Sequence, residues 1–302
     1  MLTIFTIPKA FAGHIGAIQK NAIQSWVKLE PTCQVVLFGD EPGTKAVAEQ
    51  MGTEFLPDIA RNEYGTPLLN SAFEMVEKVA RHPLLCYVNA DIMLMSNFVM
   101  SVRRVSGLRC RFLMVGQRWD VDLKTLWDFS EDGWENRLQE YVSRFGTLHP
   151  PAGSDYFVYP RGVIASMPSF AVGRLGLDNW LIYHARKMDV PVIDATRVVT
   201  VIHQNHDYSH IRHRTGDASQ GLEADRNIEL AGASCSFTLL DASHLLTHTE
   251  LLPAQNQVPV MRRLRRMAAL IPIARSIARR IRNSGKMIKS AINNAGWRIV
   301  PK

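Results

Sequence analysis

Short apolar runs alternate with amphipathic stretches along the first third of the chain. The apolar runs have the length of buried strands and cover Leu2–Ile7, Gln34–Phe38, Thr53–Leu56 and Leu84–Val88. Between them, apolar residues recur every three or four positions, which predicts helices over about residues 15–26, 44–51 and 67–80. This alternation of strand and helix predicts an α/β layer fold with a largely parallel sheet.

The pattern continues toward the carboxyl end with longer irregular intervals. We expect a helix from Ser96 to about Val105, one or two helices between Leu123 and Phe145, and a helix after Trp180. Further strands are predicted over residues 112–115, 156–159, 191–194 and 198–202. Thr66 and Ser96 are the predicted N-caps of their helices, with Pro67 at a first helical position.

Composition divides the chain into three predicted segments. Residues 1–210 carry the α/β pattern, and residues 211–257 form a polar, weakly patterned and peripheral linker. Residues 258–302 form a basic amphipathic tail. We found no internal repeat in the sequence.

Polar side chains follow the predicted strands at the points where the strands end. They are Asp40, Asp91, Arg118, Asp155, Asp178 and His203. The carboxyl ends of parallel strands share one rim of a sheet, and ligands of open α/β sheets bind in the crevice outside that rim. Each of these residues alone would also fit a turn or a surface position, so their shared placement carries the interpretation.

The motif Asn89-Ala90-Asp91 is the most informative of these strand ends. The apolar run Leu84–Val88 ends abruptly there and delivers a carboxylate to the carboxyl end of a buried strand. Carboxylates bind hard divalent cations, and such cations usually also hold substrate phosphates. The alternative is that Asp91 only caps the next helix.

The order of these features resembles the GT-A fold of the nucleotide-diphospho-sugar transferase superfamily over roughly residues 2–210. Four features carry the resemblance. The first is the strand-loop-helix Thr3–Trp26, with Asp40 after the second strand, and the second is Asn89-Ala90-Asp91 at the place of the Asp-x-Asp metal motif. The third is Gly176-Leu177-Asp178-Asn179-Trp180, which resembles the acidic motif that opens a helix near the acceptor, and the fourth is a histidine after a late strand. It implies a Rossmann-like, mainly parallel sheet flanked by helices and a glycosyltransferase with a nucleotide-sugar donor. The sequence departs from the family pattern at Asn89, whose amide brings no charge.

The resemblance also implies roles for individual residues. A divalent cation, Mn²⁺ or Mg²⁺, would be held by Asp91 together with His203, which directly follows a strand, or with His206. Asp178 would be the catalytic base of an inverting transfer, with helix capping as its alternative role, and Asp155 would bind sugar hydroxyls. The residues implied to contact the donor are Pro8, Asp40, Asn62, Thr66, Asn89, Ala90, Asp91 and Arg118.

The net charge of +7 comes from the tail. Residues 258–302 hold twelve basic residues and no acidic ones, which leaves 23 basic against 28 acidic residues in the rest of the chain. Apolar positions of the tail recur at helical spacing, interrupted by Pro272. A basic amphipathic helix suits an anionic membrane surface better than nucleic acid, and packing against a protein surface is the alternative.

The remaining composition indicates a reducing compartment. The four cysteines show no metal-binding or disulfide spacing, so we expect free thiols. Residues 1–8 fit a first strand rather than a signal peptide, and no apolar run is long enough to span a membrane. We therefore expect a cytoplasmic protein, peripheral at the inner membrane face.

Three functions are compatible with the sequence. The first is metal-assisted sugar transfer from a nucleotide-sugar donor to a glycan or lipid-linked acceptor. The second is a sugar-nucleotide nucleotidyltransferase, a class that needs a glycine-rich phosphate loop, whereas Pro8–Gly13 contains one glycine. The third is a non-catalytic α/β protein that binds membrane through its tail.

Overall fold

The structure is a computed structural model that describes residues 1–206 and 221–254. Its strands, in chain order, are β1 (Leu2–Thr6), β2 (Gln34–Phe38), β3 (Glu54–Leu56), β4 (Leu84–Val88), β5 (Ile92–Met93), β6 (Leu113–Val115), β7 (Trp119–Val121), β8 (Thr147–Leu148), β9 (Tyr156–Pro160), β10 (Val192–Asp194), β11 (Ile202–Gln204), β12 (His244–Leu246) and β13 (Leu251–Pro253). Its helices are α1 (Gly13–Val27), α2 (Thr44–Met51), α3 (Leu69–Val79), α4 (Ser96–Leu108), α5 (Trp134–Phe145), α6 (Leu177–Lys187) and α7 (Leu222–Ala231), with 3₁₀ helices at Gly232–Ser236 and Leu239–Asp241.

Nine strands form the main sheet in the order β13-β12-β10-β6-β9-β4-β1-β2-β3. Only β9 and β13 run antiparallel to their neighbours, and the other described pairings in this sheet are parallel. The predicted α/β architecture with a mainly parallel sheet is therefore confirmed. Strands β1, β2 and β4 are buried along their whole length, as expected of parallel strands covered on both faces.

Helices cover both faces of this sheet. Because side chains alternate along a strand, Leu2 and Ile4 of β1 belong to the core cluster that includes Trp26 of α1 and Phe98 of α4. Phe5 points to the opposite face and packs edge-on against Phe73 of α3, with ring centroids 5.0 Å apart. The central strands are thus held from two sides, and their carboxyl ends project from a rigid layer.

A second sheet of four short strands lies beside the first in the order β5-β11-β7-β8. No separate pattern in the sequence predicts this sheet, because its strands are only two or three residues long. We predicted a strand over 198–202, but β11 begins only at Ile202. The N–H groups of Val198 and Val199 both donate to the carbonyl of Ala195, so this apolar segment is a buried turn.

Neither predicted N-cap caps its helix. Helix α3 begins three residues after Thr66, and the intervening Pro67 is not helical, because Leu68 is held in a bridge with Ala171. Ser96 is the first residue of α4, and its N–H and hydroxyl both donate to Glu135 Oε1, at 2.9 and 2.7 Å.

The charged stretch 123–145 is helical only from Trp134. Hydrogen bonds to Asn21 of α1 explain why the residues before Trp134 are not helical. The Asn21 amide donates to the carbonyl of Thr125 at 3.0 Å, and its carbonyl accepts the N–H of Trp127 at 2.8 Å. These backbone groups are therefore unavailable to a helical ladder.

The polar stretch 211–257 contains more structure than expected. Its described part, residues 221–254, forms α7, both 3₁₀ helices and two strands, and β12 pairs in parallel with β10 of the main sheet. The description of this stretch as a weakly patterned peripheral linker is therefore corrected for residues 221–254. The boundaries of the three predicted segments stay predictions.

The basic amphipathic tail predicted over 258–302 lies outside the described residues. Within residues 1–206 and 221–254, no helix is long and apolar enough to cross a membrane. The four cysteines are free thiols, as predicted.

Candidate metal centre

The second sheet brings distant segments together next to the end of β4. Asn89-Ala90-Asp91 connects β4 to β5, and β11 pairs with β5 on one side and with β7 on the other. In this register His203 lies opposite both Ile92 and Asp120. His203 was expected just after a strand, and it instead lies within β11, where the pairing holds its backbone on both sides.

Asp91, His203 and His206 form a group that could hold a metal ion. One possible ligand atom from each lies within 4.8 Å of the others. Nε2 of His206 is 3.0 Å from Asp91 Oδ2, and Nε2 of His203 is 3.9 Å from the same oxygen. The structure therefore brings both candidate histidines to Asp91, and the sequence could not choose between them.

The surroundings of the second carboxylate oxygen of Asp91 indicate whether a cation fits this site. Asp91 Oδ1 is buried and has no hydrogen-bond partner among the described residues. A buried, unpartnered carboxylate oxygen is costly, whereas a cation ligated by this carboxylate and the imidazoles would satisfy it. The donor set of one carboxylate and two imidazoles is also within the usual chemistry of divalent metals. The residues present therefore fit a divalent cation.

The electrostatics of the group favour a charged carboxylate. Burial acts to raise the pKa of Asp91, but the hydrogen bond with His206 and the charges of His203 and Lys9 outweigh it, so the pKa lies well below its usual range. Burial acts to lower the pKa of His203, but Asp120 and Asp91 raise it overall. Asp91 is thus ionised, as a metal ligand must be.

Arg118 and Asp155 form a hydrogen-bonded network next to the Asp91–His203–His206 group. The Arg118 guanidinium donates through Nε to Asp120 at 2.9 Å and through its terminal nitrogen to Asp155 Oδ2. Asp155 is 6% exposed, and its other oxygen accepts from the Asn89 amide at 2.6 Å. Arg118 and Asp155 are thus engaged with each other, and their roles toward phosphate and sugar stay predictions.

This network gives a physical reason for Asn89. The Asn89 amide donates to Asp155, while its carbonyl accepts the hydroxyl of Tyr87 at 3.0 Å. An aspartate here would place two carboxylates within hydrogen-bonding distance in a largely buried region. The neutral amide is therefore complementary to Asp155.

The variant Asn89→Asp, which creates an Asp-x-Asp motif, is expected to destabilise the protein by about 1–3 kcal/mol at pH 8. The introduced carboxyl group would face Asp155, so its folded-state pKa would exceed its unfolded value. Stability would then be lost as pH rises through that raised pKa, and the penalty should shrink toward pH 5. Urea unfolding at both pH values measures this, with Asn136→Asp on the exposed face of α5 as control. Unchanged stability together with tighter Mn²⁺ binding would contradict this explanation.

Asp178 lies in the first turn of α6, behind the N-cap Gly176. Burial raises the pKa of its carboxyl group, and the charge of Asp155 adds to that, while backbone N–H groups of Asn179, Gly153 and Ser154 oppose it. Because the N-cap is Gly176, Asp178 does not cap the helix by itself. A carboxyl group with a raised pKa near other site residues suits a general base.

Two site residues were not identified from the sequence. Lys9 lies just beyond β1. Phe5 of β1 pairs with Tyr87 of the parallel strand β4, and Lys9 and Asp91 each follow their paired residue by four positions, so the two lie at corresponding places beyond neighbouring strands. Burial lowers the pKa of Lys9, and the charge of Asp91 opposes this effect. The second is Asp120, the central residue of β7. In the sequence its only signal was an acidic residue five positions after the predicted strand 112–115.

The other predicted donor residues lie around the amino-terminal strands. Pro8 is buried directly after β1, and Ala90 is 9% exposed between β4 and β5. Asp40 follows β2, is mostly exposed and pairs with Arg61, beside an open pocket of about 470 Å³ that both residues line.

The predicted loop residues Asn62 and Thr66 are tied to α7. The Asn62 amide donates to Glu223 at 2.7 Å, and Asn62 Oδ1 accepts the N–H of Thr66 at 2.9 Å. Glu223 also pairs with Arg174, and both side chains are largely buried. The polar groups of this loop are engaged within the protein, and their donor contacts stay predictions.

Together the fold and the site define an α/β protein with a candidate metal centre next to the carboxyl ends of its parallel strands. No protein-family model and no curated protein matches the sequence. Solved structures similar to this chain include M. tuberculosis glucosyl-3-phosphoglycerate synthase (14% identity, 78% of this chain and 81% of that chain, TM-score 0.48) and the same enzyme from Mycobacterium tuberculosis in complex with Mg²⁺ and UDP (14%, 78% and 79%, 0.46).

S. aureus TarS 1-349 in complex with UDP-GlcNAc is similar at 10% identity over 76% of this chain and 70% of that chain, with a TM-score of 0.45. In another structure of S. aureus TarS 1-349, the match spans only 40% of that chain, at a TM-score of 0.33.

Proposed function

We propose that this protein is a metal-assisted glycosyltransferase of the GT-A fold that transfers a sugar from a nucleotide-sugar donor to a glycan or lipid-linked acceptor. The observation that carries the proposal is the Asp91–His203–His206 group, with its unpartnered buried carboxylate oxygen, beside Lys9. Metal ligands and a partly buried lysine next to the ends of parallel strands would form a binding site for a diphosphate.

The cation itself would be held by Asp91 and the two imidazoles. Two nitrogen ligands favour Mn²⁺ over Mg²⁺, because Mg²⁺ prefers oxygen ligands. When bound, such a cation supplies positive charge that stabilises a diphosphate leaving group. Lys9 would add a second positive charge from the neighbouring strand, in a region where charges interact strongly.

Asp178 would take the proton of the attacking hydroxyl group. Its raised pKa brings it closer to the pH at which the reaction runs, which suits a general base. Asp155, held by Arg118 and Asn89, would position the sugar through its remaining acceptor capacity. This assignment applies to an inverting transfer.

A panel of nucleoside diphosphates tests the proposal without knowledge of the acceptor. UDP, GDP, CDP and dTDP are each added at about a hundred times their dissociation constant, with and without Mn²⁺, and thermal unfolding is followed. One base should stabilise the protein by about 2.7 kcal/mol, a rise in Tm of roughly 5–10 °C, and Mn²⁺ should enlarge the effect. If no nucleotide raises the Tm under any condition, the proposal is wrong.

We also propose that residues 258–302 bind an anionic membrane surface, which would bring the site to a lipid-linked acceptor. The twelve basic residues without acidic ones and the apolar stripe support this. The full chain should co-sediment with phosphatidylglycerol vesicles and be released by high salt. Equal binding to neutral vesicles would contradict an electrostatic anchor.

A further inference from the structure

Asp120 contacts His203 on the side of the imidazole that faces away from Asp91. Strands β7 and β11 are parallel, and their register places Asp120 directly opposite His203. Asp120 Oδ1 is 3.1 Å from Nδ1 of His203, whereas Nε2 of the same ring is 3.9 Å from Asp91 Oδ2. One ring nitrogen of His203 therefore faces a carboxylate behind it, and the other faces the candidate metal ligands.

Asp120 is itself held firmly. Its Oδ1 accepts Nε of Arg118 at 2.9 Å, and its Oδ2 is 2.7 Å from Nδ1 of His149. The carboxylate thus has partners at both oxygens, in a part of the site that is mostly shielded from solvent. A carboxylate fixed in this way has little freedom to turn away from His203.

The contact also bears on which nitrogen of His203 carries a proton. Nδ1 of His203 makes no aligned hydrogen bond among the described residues, but an ionised carboxylate can only accept, so Asp120 Oδ1 at 3.1 Å is an acceptor for a proton on Nδ1. With Nδ1 protonated, a neutral His203 has its lone pair on Nε2, next to Asp91.

We propose that Asp120 is the positioning residue of the metal centre: it holds the proton of His203 on Nδ1 and the ring in place, so that Nε2 is presented to the cation bound by Asp91. This inference rests on the proposed metal-assisted function. Outer carboxylates of this kind orient ligand imidazoles and increase their basicity. Because Asn89 brings no charge, Asp120 adds negative charge behind the single acidic ligand.

The central experiment measures Mn²⁺ affinity in a double-mutant cycle. Asp120→Asn should weaken Mn²⁺ binding by roughly 10–100-fold in the otherwise unchanged protein. In the background of His203→Gln, the same substitution should change Mn²⁺ affinity less than about 3-fold, because its effect acts through His203. The exposed Asp128→Asn serves as matched control and should leave affinity unchanged. An equal loss in both backgrounds would overturn the proposal.

A second measurement needs neither a metal nor a substitution of Asp120. Histidine ¹⁵N resonances of the metal-free wild-type protein, recorded above the pKa of His203, should report a proton on Nδ1 for this residue. The assignment is made by its loss in His203→Gln. A proton on Nε2 would overturn the proposal even if Asp120→Asn failed to fold.

The outcomes separate this inference from the proposed function. If Mn²⁺ binds and depends on Asp120 through His203, but no nucleotide binds, the positioning role stands and the sugar transferase is wrong. If the wild-type protein binds no Mn²⁺, both are wrong. If nucleotide and Mn²⁺ bind and Asp120→Asn leaves Mn²⁺ affinity unchanged, only the positioning role is wrong.

Discussion

Replacing Asp91 with asparagine is expected to reduce Mn²⁺-dependent donor turnover by roughly 10²–10³-fold, the scale seen when a key stabiliser of developing charge is removed. Asp91 is the only carboxylate of the group that could hold a cation, and its oxygen Oδ1 has no other partner among the described residues. The amide has nearly the same shape but no charge, so the site would lose its affinity for the cation while the fold is kept. Release of nucleoside diphosphate from a nucleotide sugar in the presence of Mn²⁺ measures this without an identified acceptor.

The matched control for Asp91→Asn is the same change at Asp128, which lies exposed on the loop before α5. Asp128→Asn should retain turnover within about 2-fold, since surface substitutions of this kind rarely matter. Thermal unfolding of both variants without metal separates loss of the site from loss of the fold. Full turnover by a folded Asp91→Asn protein would remove Asp91 from the metal centre.

Replacing Asp178 with asparagine is expected to lower kcat by roughly 10²–10⁴-fold, the range of general base catalysis. Asn keeps the size of the side chain and its place in the first turn of α6 but cannot accept a proton. Donor binding should change little, because the proposed role of Asp178 begins only when the acceptor hydroxyl or water attacks. Single-turnover release of nucleoside diphosphate, together with a separate measurement of donor affinity, distinguishes the two effects.

The pH dependence of turnover is a second test of the proposed role of Asp178. A general base works only when it is deprotonated, so wild-type turnover should fall as pH drops through the pKa of Asp178, which burial raises above its usual value. In Asp178→Asn the residual turnover should lose this acidic limb. Asp189→Asn is the control, because Asp189 is exposed beyond α6 and has a positive φ of 54° that asparagine tolerates. A loss of donor affinity that accounts for the whole loss of turnover would indicate a binding role instead.

The sequence predicted the main strands because they are continuous apolar runs. Residues Leu2–Thr6, Gln34–Phe38 and Leu84–Val88 are buried along their length, and a run of this kind is visible without knowledge of its neighbours. The same reasoning failed for residues 198–202, where apolar side chains are buried in a turn. Burial and strand conformation are separate properties, and only burial is coded by hydrophobicity.

The site residues that lie near strand ends could be predicted from the sequence. The residues whose role depends on strand pairing could not. Asp91 and the two histidines were selected because each follows an apolar run or lies beside one. The role of Asp120 required the parallel pairing of β7 with β11, which joins segments far apart in sequence. The irregular path before α5 likewise depends on Asn21, a residue on a different helix. Such long-range contacts leave no periodic signal in the chain.

The most direct test of the central claim is the coupling between Mn²⁺ and the nucleoside diphosphate. Mn²⁺ affinity is measured with and without UDP, or with whichever diphosphate stabilises the protein, and corrected for Mn²⁺ bound by free nucleotide. If the cation joins Asp91, His203 and His206 to the diphosphate, each ligand should increase the affinity of the other by the same factor, which we expect to be at least about 10. Asp91→Asn should abolish this coupling. Independent binding of Mn²⁺ and nucleotide to the wild-type protein would contradict a metal centre that holds the donor.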